Sequence, residues 1–344
     1  MWLNDADDRF TFRNARLCYK SSSLNWEIEE RLILRSEVQR HNGSASLEIV
    51  YVIEKDAKLA VGTIRLPGTE EKCLEIQKAL ESSIGGKTPK RLLVFINPRS
   101  GSREAEKIYK KKVLPIFQLC KVEINKYVTN RANEVRDCLL SEKLDLYDGV
   151  IAVGGDGIYN EVLSGLVDRQ MRDVGLNPDD PESKLPQLNL PIGIIPAGSG
   201  NYTAWYLNGT KCPKTAAIRI MMGDCVATNV ASLHQGNRCA GYSSLILGFG
   251  LFGDVMRDCE KYRWMGTSRF KVIPVGTVLS RRPVKVAISY IPAESNVNSE
   301  VRNERAPKPE FHRQTSVPPP RSKTVVESFK KRTFSTSDIL EAPS

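Results

Sequence analysis

The motif "GGDG" at residues 154–157 sets one acid, Asp156, among three glycines, between the apolar run "GVIAV" and the helical pattern "IYNEVLSGLV". Without a Cβ, Gly154, Gly155 and Gly157 let the backbone turn sharply and approach a ligand closely. A helix starting near Ile158 would aim its free N–H groups and positive dipole end at the same place, which suits phosphate. Asp156 has the wrong sign for phosphate; it suits proton removal from a hydroxyl, or magnesium ligation. Gly-Asp-Gly also spells an ordinary tight turn. Its place at the exit of a strand, where open α/β sheets bind ligands, argues for a site. Two other strand exits have the same character: "NPRSGS" at residues 97–102 follows "RLLVFI", and "PAGSGN" at residues 196–201 follows "IGII". Three such loops in one sheet converge on one crevice, and a nucleotide phosphate site explains all three. "GFGLFG" at residues 248–253 spells the dinucleotide fingerprint but lies far past the first strand, with no acid at the required distance, so it is set aside.

These loops need a scaffold, and the pattern supplies one. From Arg91, strands at "RLLVFI", "KVEINKYV", "GVIAV" and "LPIGIIPAG" alternate with helices at "REAEKIYKKKVLPIF", "ANEVRDCLLSE" and "IYNEVLSGLV". That alternation predicts a three-layer α/β nucleotide-binding domain with a parallel sheet over residues 90–224. Ahead of it, "RFTFRNARLCY", "LNWEIEERLIL", "ASLEIVYVIEK" and "LAVGTIRLP" read as strands. "TEEKCLEIQKALESSI" then places Cys73, Leu74, Ile76, Leu80 and Ile84 near one helical face. A β domain closed by a C-terminal helix, residues 1–86, is the plan of a pleckstrin-homology-like module. After Cys225, "CVATNVASL", "YSSLILGF" and "KVAISYIP" read as strands of the incomplete start of a β-rich second domain, residues 225–292. Residues 293–344 are polar, proline-rich and expected to be disordered; their "RQTS" and "KKRTFS" resemble basophilic phosphorylation strings.

Composition narrows the chemistry. The eight cysteines form no CxxC pair, and His41, His234 and His312 are too few and scattered for a zinc site, so reduced thiols in a cytoplasmic protein are expected. A net charge of +10 favours anionic partners without choosing among them. No apolar run approaches the ~20 residues of a membrane span, and the acidic start "MWLNDADDRF" lacks the pattern of a signal peptide, so membrane contact is expected to be peripheral.

The order and spacing of "LLVFINPRSG", "TNRAN", "GGDGIYNEVLSGL", "IGIIPAGSGN" and "EKYRWMG" resemble the diacylglycerol-kinase-type catalytic domain over residues 90–292, and within that superfamily the ceramide kinases most, with sphingosine kinases next. The resemblance implies an ATP-dependent lipid kinase using Mg2+, bound peripherally to a membrane, with ceramide or a related lipid as substrate and no nucleic-acid partner. Asp156 would take the proton from the primary hydroxyl of the lipid, with Gly154, Gly155 and Gly157 shaping the head-group site. Asn97, Pro98, Arg99, Ser100 and Gly101 would line the ATP site. Thr129, Asn130, Arg131, Ala132, Asn133, Glu161, Gly198, Ser199 and Gly200 would join them, with Arg263 and Arg269 reaching the phosphates; a solvated helix face is the plainer reading of those two arginines. Met256 stands where sphingosine kinases carry an acid for the cationic amine, which fits a neutral amide, whereas Asn201 of "GSGN" follows the sphingosine and diacylglycerol kinases. Sphingosine or diacylglycerol kinase is thus the alternative within the fold. The family pattern also includes later strands and a "DGE" motif that nothing after Pro292 resembles. The expectation is a shortened form of low activity, with an inactive membrane-associated regulatory remnant as the alternative outside enzymes.

Overall fold

The structure, a computed structural model, describes residues 10–20, 25–41, 44–55, 58–84, 86–248 and 250–280. The strand expected at "KVAISYIP", the tail from residue 293 and both phosphorylation strings lie outside the described residues. Among the described residues there are two compact units: those up to Leu247 with Trp264–Ser268 form one, and Gly248–Arg263 with those from Arg269 form the other.

The chain begins with two antiparallel three-stranded sheets. The first holds β1 (Phe10–Arg13), β2 (Arg16–Lys20) and β3 (Asn25–Glu29). "RFTFRNARLCY" is a hairpin rather than one strand, because Asn14 and Ala15 both take left-handed backbone (φ 52° and 56°), the geometry of a tight two-residue turn. The second sheet holds β4 (Ile33–His41), β5 (Ser44–Lys55) and β6 (Lys58–Gly68). Helix α1 (Glu70–Ile84) follows, with the Thr69 hydroxyl accepting from Lys72 N–H at its start. It buries Cys73, Ile76 and Leu80, the centre of the predicted stripe, against Phe10, Leu17, Leu47 and Ile49.

Strand β5 is apolar on both faces. Ala45, Leu47 and Ile49 join that cluster, whereas Val50 and Val52 point the other way into the core of the α/β domain. There they share one cluster with Leu34, Ala216, Ala217, Ile218 and Met221. Leu59 N–H donates to the Thr215 hydroxyl at 3.2 Å, and Lys121 pairs with Glu37 across the same seam.

The α/β domain has a parallel sheet of β7 (Arg91–Ile96), β8 (Glu123–Val128), β9 (Gly149–Gly154) and β10 (Ile192–Pro196), in the order β10-β9-β7-β8. Its central strands are buried on both faces, as parallel strands covered by helices must be. Ile151 and Val153 of β9 face one side, and Val150 and Ala152 face the other. The first side carries α2 (Ala105–Ile108), a π-helical turn at Tyr109–Val113, α3 (Leu114–Leu119) and α7 (Pro213–Met222). The second carries α4 (Glu134–Ser141), α5 (Asp156–Asp173) and α6 (Tyr202–Asn208). The chain order leaves a switch point between β7 and β9, the crevice where such sheets bind ligands.

Beyond α7 the expected strands are shorter than predicted. "CVATNVASL" is extended only at β11 (Ala231–Gln235), and "YSSLILGF" contributes only its first residues to β12 (Arg238–Ser243). Hairpin pairing ends there, and Leu245, Ile246 and Leu247 are exposed. Tyr242 anchors this hairpin on α5, packing with Leu163, Val167 and Met171 and donating to Asp168 at 3.1 Å. The second unit holds α8 (Leu251–Lys261) and α9 (Arg269–Leu279), two helices where a β-rich start was expected; apolar "VIPVGTVL" is compatible with either state, and Pro274 sits inside α9. No helix among the described residues is long and apolar enough to cross a membrane.

Candidate functional site

Each predicted loop leaves the C-terminal end of a parallel strand. Residues 97–101 follow β7, residues 129–133 follow β8, residues 154–157 follow β9 and residues 197–201 follow β10. Three of them touch through bare backbone. A Cβ on Gly198 would stand 2.4 Å from Gly155 Cα, and one on Gly101 would stand 2.7 Å from the Ala197 carbonyl. Gly101 also has a left-handed φ of 53°, which glycine adopts freely. A Cβ on Gly154 would meet Ser100 Oγ at 2.6 Å, and Ser100 is buried. Backbone bonds add to the contact: Asn97 N–H donates to Val153 O, and Ala197 N–H donates to Gly154 O at 2.7 Å. The glycines are therefore there to let loops meet each other as well as to admit a ligand.

Asp156 is the first residue of α5, so the helix begins two residues earlier than predicted and the acid sits on it rather than in a loop. Gly155 serves as the N-cap with extended backbone. Asp156 Oδ1 accepts from Thr203 N–H at 2.8 Å, which ties it to the start of α6. Its other oxygen lies 3.1 Å from where a Gly200 Cβ would be, so Gly200 keeps the approach to that oxygen clear. Asn201 takes left-handed backbone and clasps its own loop: Gly198 N–H donates to Asn201 Oδ1 at 2.8 Å, and Asn201 Nδ2 donates to Gly198 O at 2.7 Å. The amide supplies the acceptor and the donor from two separate atoms, which accounts for "GSGN" locally. Ser199 is exposed at the loop tip, and Gly157 is exposed with open space around it. Asn97 Oδ1 accepts from Arg99 N–H at 2.9 Å, leaving the Arg99 side chain exposed beside Pro98.

The fourth loop is held by side chains. Thr129 is buried and hydrogen-bonded to Ile96 O. Glu134 accepts from Asn130 N–H at 2.6 Å and Arg131 N–H at 3.2 Å, and these bonds hold its carboxyl below the usual range. Glu161, on α5, accepts from Val135 N–H at 3.1 Å at the start of α4, where Asn133 is a left-handed N-cap. Burial pushes the Glu161 carboxyl up, more than its backbone partners lower it. Glu161, expected at the nucleotide site, also braces the start of α4, next to the loop that holds Asn130, Arg131, Ala132 and Asn133. Arg131 pairs with Asp137 at 2.6 Å.

Arg263 and Arg269 fall in the second unit. Arg269 is buried with its guanidinium 4.4 Å from the Phe270 ring centroid, which replaces the solvated-face reading for that residue. A cavity of about 1140 Å³ runs beside β10, lined by Tyr159, Leu163, Ile192, Arg219 and Val226, and contains none of the predicted site residues. Thr203 and Glu134 are contributors that motif spacing passed over. Only the "N-R-A-N-E" order, an acid just after a turn-forming asparagine, signals one of them.

Residues 91–233, which carry the glycine loops and Asp156, match the family described as the diacylglycerol kinase catalytic domain. The chain is similar to both ceramide and sphingosine kinases. It is 39% identical to a human ceramide kinase over 61% of this chain and 39% of the relative. It is 34% identical to sphingosine kinase 1 of Arabidopsis thaliana over 60% of this chain and 40% of that one. The chain thus spans about two fifths of the length of the relatives it matches. A solved diacylglycerol kinase of Bacillus anthracis aligns at 19% identity over 42% of each chain, with a TM-score of 0.31.

Proposed function

We propose that the protein transfers the terminal phosphoryl group of ATP to the primary hydroxyl of ceramide, with Asp156 as general base. The observation that carries this reading is the Asp156 carboxylate. One oxygen is fixed by Thr203 N–H, and the other lies beside Gly200, at the end of the sheet where the 97–101, 154–157 and 197–201 loops meet. A carboxylate held this way can accept a hydroxyl proton without swinging. The surrounding N–H groups and the start of α5 suit the charge that builds on a transferring phosphoryl group. Ceramide is favoured over sphingosine by the ceramide-kinase relatives and by Met256, which offers no counter-charge to an amine. Magnesium fits as an ion carried by the nucleotide. Among the described residues no three His, Cys, Asp or Glu side chains gather, and Mg2+ is commonly held by phosphate oxygens, water and one or two carboxylates.

The domain reading belongs to the same proposal. Residues 1–86 act as a pleckstrin-homology-like module, residues 90–224 as the ATP-binding domain and residues 225–292 as the partial start of a lipid-kinase C-terminal domain; the protein works at a membrane surface. Asp156→Asn keeps an acceptor for Thr203 N–H but cannot take a proton. It should lower transfer of labelled phosphate from ATP to ceramide in mixed micelles by about 10²–10⁴-fold, with an unchanged melting temperature. Near-normal turnover in that variant would remove Asp156 as the base. Faster labelling of sphingosine or diacylglycerol than of ceramide would reassign the substrate.

A further inference from the structure

Helix α6 has its polarity reversed on the outside. Thr203 and Ala204 are buried, and Leu207 packs into the core beneath them. The opposite face carries Tyr202, Trp205 and Tyr206, at the i, i+3, i+4 spacing that puts them side by side, and they are 61%, 58% and 66% exposed. Three aromatic rings standing in solvent on one short helix need a partner. The charge of the neighbouring chain says which kind. From Ser183 to Gly223 there is no acidic residue, while Lys184, Lys211, Lys214 and Arg219 are all cations. Lys211 reaches over the patch, its Nζ 5.0 Å from the Tyr202 ring centroid, and Lys211 and Lys214 are both exposed.

We infer that this face of α6 is a docking surface for an anionic phospholipid bilayer. Tyrosine and tryptophan, with an apolar body and a polar tip, are the side chains that settle at the boundary between head groups and acyl chains. Lysines beside them add attraction to a negative leaflet. The location matters as much as the composition. Thr203, in the first turn of the same helix, donates its backbone N–H to Asp156 at 2.8 Å, so the docked face is one turn from the proposed base. A lipid hydroxyl at the head-group level would then meet the carboxylate without leaving the interface. That last step rests on the kinase reading above; the docking itself does not.

The test uses the full 344-residue chain and vesicles of phosphatidylcholine with or without phosphatidylserine, in the absence of nucleotide. Tyr202→Ser with Trp205→Ser and Tyr206→Ser should weaken co-sedimentation roughly ten-fold or more, with an unchanged melting temperature. Lys211→Glu with Lys214→Glu should weaken binding only to vesicles containing phosphatidylserine, by about five-fold or more per lysine. Should the triple variant fail to fold, Trp205→Phe decides. Brominated lipid should quench a component of tryptophan emission in the wild type that this variant lacks. Equal binding by the triple variant, or equal quenching in Trp205→Phe, overturns the assignment. So does a wild-type dimer that the triple variant converts to monomer, since a second copy would then be the occupant. If vesicle binding behaves as expected and no lipid is phosphorylated, the kinase reading fails and the docking surface stands.

Discussion

The loops after β7, β9 and β10 and the loop after β8 stand at the same end of one sheet, yet they are held by different means. The first three are locked by backbone lying on backbone, with glycines at the contacts. The fourth is held by two carboxylates, Glu134 from its own helix and Glu161 from α5. A backbone contact has no proton to gain or lose and no rotamer to change, so it should be rigid and indifferent to pH, but intolerant of a single added carbon. A carboxylate brace should tolerate substitution and answer to pH.

Gly198→Ala tests the rigid half and should have the largest effect. The new Cβ would overlap Gly155 Cα at 2.4 Å, and neither partner is a side chain that can turn away. Displacing the 197–201 loop from the 154–157 loop by even an ångström should cost roughly 10²-fold in turnover, with a lower melting temperature. Turnover equal to wild type would show that the loops do not need this contact.

Glu161→Gln tests the braced half and should have a moderate, pH-dependent effect. Because the folded pKa of Glu161 is raised, its contribution to stability is fully present below the ordinary glutamate value of about 4.3 and is lost as pH rises through the raised value. Glutamine keeps an acceptor for Val135 N–H without the charge, so its stability relative to wild type should improve from acid toward neutral pH. Glu134 runs the other way: its folded pKa is lowered, so its contribution holds above the ordinary value and is lost as pH falls through the folded one. Melting temperatures of Glu161→Gln and Glu134→Gln across that range measure the difference, and parallel curves would mean that neither carboxylate braces the loop.

Gly157→Ala should be the mildest. No atom lies within 4 Å of the new Cβ, and alanine favours the helix by up to about 1 kcal/mol. Stability should hold or rise slightly. A fall in turnover without a fall in melting temperature would then locate the lipid head group against Gly157, separating a glycine kept for a ligand from those kept for the fold.

The sequence made the parallel sheet, the α1 stripe and the convergence of the glycine loops legible, because those features repeat at fixed periods or stand at strand exits. It did not reveal that Asp156 begins α5, since helix starts are set by capping geometry rather than by residue type alone. The resemblance implies a nucleotide contact for Glu161 but not its bond from Val135 N–H, which lies on another helix and leaves no local trace. The strands after α7 were overread, because short runs of β-branched residues such as "CVATNV" carry no period that distinguishes strand from coil.

The doubly apolar strand β5 has a consequence for how this protein can be taken apart. Val50 and Val52 lie in the same cluster as Ala216, Ala217 and Met221 of the α/β domain, with Leu59 and Val61 packed alongside. A segment joined in this way is not modular. It cannot be exchanged for a homologous piece, or cut off at a linker, without leaving an oily scar on α7. A chain lacking residues 1–86 would report first on the loss of a shared interior and only afterwards on any loss of lipid contact. Recombination, in the laboratory or in evolution, has to carry these two parts together.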